Sequence, residues 1–94
     1  MYITVNTDTH KRLIKANSKS PSVSTKLAEI AENPLNNAIR THIPAMGDYY
    51  INAGRWCILF NVKETEEVVD VLSIVLSPYL HKILTGRIGA PGAN

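Results

Sequence analysis

Between Tyr49 and Leu76 the chain carries a nearly unbroken β pattern, and few small folds accommodate one. Tyr49-Tyr50-Ile51-Asn52-Ala53 is followed by Gly54-Arg55, by Trp56 to Val62, by a short acidic break, and by Val68 to Leu76. Trp56, Ile58, Phe60 and Val62 alternate with Arg55, Cys57, Leu59 and Asn61, the period of two that sends successive side chains to opposite faces. The large apolar set is expected to face a helical layer and to leave the other side of the sheet open. The next strand is apolar on both faces, Val68, Leu72, Ile74 and Leu76 on one, Val69, Val71 and Val75 on the other. That pattern predicts a central or doubly covered strand. Ala53-Gly54 and Lys63-Glu64-Thr65-Glu66 read as short hairpin connections, with Gly54 supplying the positive φ of a tight turn. The region predicts a three-strand antiparallel meander.

Two helical patterns come before it. Tyr2-Ile3-Thr4-Val5 is β-branched and aromatic and reads as a short strand. Asn6 to Asp8 are capping types, after which Thr9 to Ala16 form a short basic helix with Leu13 and Ile14 as apolar contacts. Asn17 to Ser20 read as a polar link. Ser20-Pro21 has the form of an N-cap with proline in the first turn. Val23, Leu27, Ile30 and Ala31 then share one face, and Asn33-Pro34 stops the helix. Leu35 to Gly47 has weak periodicity and reads as loop. After the meander, Ser77-Pro78 opens a short terminal helix, Tyr79 to Thr85, closed by Gly86. The predicted fold is α+β: a small antiparallel sheet, the three-strand meander plus the N-terminal strand. Two N-terminal helices pack on one face, and a short C-terminal helix follows. Residues 1–87 form the single expected domain and residues 88–94 a flexible tail.

Ninety-four residues support only one core. No apolar run is long enough for a membrane span, and Tyr2 to Val5 gives way at once to Asn6 and Asp8, unlike a signal sequence. The single cysteine, Cys57, allows no internal disulfide and fits a reducing, cytoplasmic setting. Between apolar Trp56 and Ile58 it reads as a small buried hydrophobe, not a nucleophile. His10 and His42 have no partner at ligand spacing, so no metal is expected. No Gly-rich phosphate loop is present and no cofactor is expected. Charge is unevenly placed. Lys11, Arg12, Lys15, Lys19, Lys26 and Arg40 precede Gly47 against Asp8, Glu29 and Glu32, whereas Glu64 to Asp70 hold four carboxylates and no base. Such polarity permits a basic face for phosphate or for an acidic partner, but on charge alone an ordinary solvated surface is the leading reading.

This chain resembles the RelE/ParE-type toxins of bacterial toxin–antitoxin pairs. The resemblance lies in Asn33-Pro34 after the second helix, in Tyr49 to Trp56 across the hairpin, in the run Cys57 to Val62, and in Val71-Leu72-Ser73-Ile74, covering residues 2 to 84. It implies the same small α+β scaffold, an antitoxin partner, and as target either ribosome-bound mRNA or a DNA topoisomerase. Two family features are missing. Cys57 stands where the family's aromatic–arginine pair has its arginine, and no basic residue lies near Leu76-Ser77. Arg55 shares a strand face with Cys57 in an extended register and can substitute one pleat away; a plain hairpin residue is the favoured alternative.

Metal-independent RNA cleavage needs a base for the 2′-hydroxyl, cations for the developing phosphate charge, and an acid for the leaving oxygen. The candidates are Arg55, Tyr79, His81, Lys82 and Arg87. Histidine is the side chain suited to acid–base work near neutrality, so His81 leads the set, with an exposed helix histidine as its ordinary alternative. Tyr79 can stack a base or cover the sheet edge. Lys11, Arg12 and Lys15 share a helical neighbourhood and are the candidate RNA-binding residues, or a solvated face. Three functions follow: a ribosome-dependent endoribonuclease toxin, a non-catalytic binding protein on the same scaffold, and a small interaction module that pairs through its sheet edge, for instance as a homodimer.

Overall fold

The computed structural model describes residues 1–89. Strand β1 (Tyr2–Val5) leads into helices α1 (Thr7–Lys19) and α2 (Ser22–Glu32). Strands β2 (Ile39–Ile43), β3 (Gly47–Ala53), β4 (Trp56–Lys63) and β5 (Val68–Leu76) follow, and helix α3 (Ser77–Leu84) comes last. The five strands form one sheet in the order β1-β5-β4-β3-β2. Every neighbouring pair is antiparallel except β1 and β5, which run parallel. The fold is α+β, with a mixed sheet in place of the wholly antiparallel one expected. Of the expected tail, Ile88 and Gly89 are exposed; residues 90–94 lie outside the described residues.

Local chemistry explains the helix limits. The Asn6 side chain accepts a hydrogen bond from the Thr9 backbone N–H at 2.8 Å, which caps α1. The helix continues through Asn17, Ser18 and Lys19, read as a link, because polar residues alone do not break a helix; the nearest breaker is Pro21. Ser20 does not cap α2. That helix has no side-chain cap at its flanking residue Pro21, and Asn17 Oδ1 instead accepts the Ser24 N–H at 3.0 Å. Pro34 follows the end of α2 as expected. In α3, Pro78 occupies the first turn but Ser77 makes no cap. The far end closes on Gly86 at φ +76. Gly86 N–H donates to Ile83 C=O and Arg87 N–H to Lys82 C=O, the paired bonds of a Schellman motif.

Two irregularities shape the sheet. Leu35 to Gly47 is not all loop: Ile39, Thr41 and Ile43 supply β-branched residues at alternate positions, and β2 pairs with β3 at the sheet edge. Its register slips by one residue between Arg40 and Ile43, with His42 at φ +59. The second slip lies in β5. Leu59 pairs with Ser73 but Phe60 pairs with Val71, so Leu72 is the extra residue of a bulge. Alternation therefore changes phase there, and Val69 and Val71 join Ile74 on the same face. The two-face assignment read from strict alternation is corrected at that point.

Packing separates two apolar clusters. On one face Ile58 and Phe60, with Trp56 and Val62 beside them, pack against Leu13, Ala16, Val23 and Ile30 of α1 and α2. Tyr49 stacks on Phe60 with ring centroids 5.9 Å apart. On the other face Cys57, Leu59 and Met46 pack against Leu80 and Ile83 of α3. The side expected to stand open is thus partly roofed, because the chain turns back at Ser77-Pro78 and lays α3 across it.

Candidate functional site

β1 has four residues and β5 nine, and β1 pairs only as far as Val71. Beyond that point no strand of the described residues flanks the outer edge of β5. The chain has left β1 at Asn6 and begun α1, so the last turns of α1 face the end of β5 across a gap. The gap is a groove of about 450 Å³. Ala16, Trp56, Ile74 and Leu76 give it an apolar floor, and Arg12, Lys15, Lys19 and Tyr79 stand along it. Among the described residues no carboxylate lines it. A second cleft of about 270 Å³ shares Lys19, Trp56 and Leu76 and extends the surface to Arg55.

Helix periodicity places the cations. Thr9, Leu13 and Ala16 are the buried stripe of α1. Arg12, Lys15 and Lys19 fall together on one flank, roughly 60–120° from that stripe at 100° per residue. Lys11 is exposed, and it points away from the groove. On the floor, Trp56 Nε1 is buried without a hydrogen-bond acceptor. Such donors are uncommon, since a buried polar group normally finds a partner.

The proposed catalytic set does not assemble. Arg55 sits exposed in the β3–β4 turn, where its backbone C=O accepts the Ser77 N–H at 2.9 Å. It lines the second cleft with Lys19 and Trp56, and because it lies in the turn before β4 the face it was expected to share with Cys57 is not fixed by strand alternation. Tyr79 lines the groove and is 42% exposed. His81 lies roughly 200° around α3 from Tyr79, on the opposite flank, and is exposed. Lys82 and Arg87 are also exposed, beyond the groove's lining. Cys57 is buried at 1% exposure, and its Sγ–H donates to Asn52 Oδ1 at 3.3 Å. Burial raises its thiol pKa, and a hydrogen bond with Ser77 offsets part of that rise. Among the described residues no three of His, Cys, Asp and Glu gather as metal ligands do, and no helix is long and apolar enough to cross a membrane.

Lys19 is the groove residue that sequence reasoning missed. Its signal was present: Arg12, Lys15 and Lys19 are spaced i, i+3, i+7, one face of a helix. Reading Asn17 to Ser20 as a link hid it. Compared with protein-family models, with curated proteins and with solved structures, the chain matches none.

Proposed function

We propose that this protein is the toxin component of a bacterial toxin–antitoxin pair and that it works by binding rather than by cutting RNA. One observation carries the reading: Arg12, Lys15, Lys19 and Arg55 gather around an apolar floor with no acidic residue in the lining, while His81 stays on the far flank of α3. An apolar floor with a cationic rim fits an acidic, amphipathic partner segment, whose apolar side chains fill the groove while its carboxylates meet the rim. The family resemblance supplies the expectation of such a partner, a neutralising antitoxin.

The test is expression of the chain alone and together with the product of the adjacent reading frame. Growth arrest relieved by that product is the expected result. Reversing the rim with Arg12→Glu, Lys15→Glu and Lys19→Glu is expected to abolish the complex. Endoribonuclease activity is the second reading, favoured by Arg55 and Tyr79 lining adjoining clefts that share Lys19, Trp56 and Leu76. Ribosome-dependent message cleavage that is lost in Arg55→Ala would replace the binding reading with that one.

A further inference from the structure

We propose that the bulged edge strand β2 forms a second site, distinct from the groove, which takes a phosphorylated ribose. Arg40, His42, Asp48 and Tyr49 line a polar cleft of about 370 Å³ beside the bulge. A volume in this range holds a small ligand.

The cleft is built by the local backbone. At the bulge, Thr41 and His42 together stand opposite Asp48. Thr41 is 3% exposed, and its hydroxyl donates to Gly47 C=O and accepts the Ile43 N–H at 3.0 Å. One side chain thereby satisfies the backbone groups that the slipped ladder leaves over. Locked in this way, the chain holds His42 at φ +59, exposed at the rim. That left-handed conformation is unfavourable for a residue with a Cβ, and glycine would occupy it freely. A bulge is enough to protect an edge strand from stray pairing. Histidine is among the residues that tolerate this conformation best, and here it sets the imidazole in the lining of the cleft.

Arg40 is oriented too. Its guanidinium lies over the Tyr49 ring, 5.6 Å from the centroid, and Tyr49 is itself held by its stack on Phe60. Stacking uses the face of the guanidinium and leaves its edge donors free for a phosphate. Arg40 and His42 therefore bring cationic and hydrogen-bonding groups to the cleft lining. Asp48, in the same lining, disfavours a bare anion and accepts from hydroxyl groups. Phosphate joined to a hydroxylated sugar satisfies both.

The experiment is a titration of the full-length, isotopically labelled protein with ribose 5-phosphate, inorganic phosphate and ribose, followed by amide and side-chain NMR shifts. Saturable movement at Arg40, His42 and Tyr49 is expected, tightest for ribose 5-phosphate and absent for ribose. Arg40→Gln is expected to weaken binding about tenfold or more, the loss of a charge-assisted hydrogen bond. His42→Gly keeps the backbone conformation without strain and is expected to weaken binding by a similar factor. Asp48→Asn is expected to erase the preference for ribose 5-phosphate over inorganic phosphate. Movement confined to Arg12, Lys15 and Lys19, no saturable movement at all, or unchanged binding in His42→Gly would overturn the proposal. The groove reading is tested separately, by complex formation with the adjacent reading frame's product, which Arg40→Gln and His42→Gly are expected to leave intact.

Discussion

Single residues here show how burial and backbone conformation set chemistry. Cys57 had the makings of a nucleophile only if something stabilised its thiolate. Burial does the reverse and raises its pKa above the ordinary 9.0. An alkylating reagent at neutral pH is therefore expected to leave the folded protein unmodified and to label it on unfolding, as mass spectrometry would read. The same shift carries a pH signature. The folded state favours the protonated thiol, so this contribution to stability is complete below the unfolded thiol's pKa and is lost as pH rises through the folded one. Denaturant midpoints falling above pH 9.0 in the wild type, and falling less in Cys57→Ala, are expected. Gly54 is a second case. It holds φ +63 in the hairpin turn, and a Cβ there would sit 2.8 Å from Ser20 Oγ and 2.9 Å from Ser22 Oγ. Gly54→Ala is expected to cost about 1–2 kcal/mol, mostly backbone strain because serine side chains can rotate away; a chemical denaturation curve measures it.

At the scale of elements, the two sheet irregularities are each served by a threonine. Thr9 and Thr41 are the buried polar residues among those described. Thr9 Oγ1 donates to Leu72 C=O at 3.2 Å, at the β5 bulge, and Thr41 bridges the β2 bulge. A hydroxyl on a short side chain reaches its neighbouring backbone, so it can replace a missing ladder bond without bringing in water. Thr41→Val keeps the shape and removes the bridge. It is expected to destabilise the protein by about 1–3 kcal/mol, the cost of leaving buried backbone groups unpaired. Hydrogen exchange at the Ile43 amide is expected to accelerate. Neither bulge was legible in advance, since strict alternation extrapolates through a bulge as if it were absent. The long α1 was missed for a related reason: composition marks where a helix is weak, and tertiary contact decides whether it continues.

Across the whole molecule the sheet divides two apolar layers, one under α1 and α2 and one under α3. The two layers are separate clusters on opposite sides of one sheet, and sites that share no packing partners couple weakly. Ile58→Val and Ile83→Val, one in each layer, are expected to cost about 0.5–1.5 kcal/mol apiece. Their effects are expected to add within about 0.5 kcal/mol in a double-mutant cycle. The helix order, the meander, the Gly54 turn, the Asn33-Pro34 stop and the inward ridge of Trp56, Ile58, Phe60 and Val62 were all legible in the chain, because each depends on neighbours within a few residues. So were Arg12 and Lys15 as partners on one helix. The groove was not. It exists because β1 stops short of β5 and α1 fills only part of the vacated edge, which brings Lys19 and Tyr79 together from distant parts of the chain. Strand pairing, the phase change at Leu72 and the separation of His81 from Tyr79 likewise depend on where elements meet in space. Local pattern determined the parts of this protein, and long-range packing decided which charges share a surface.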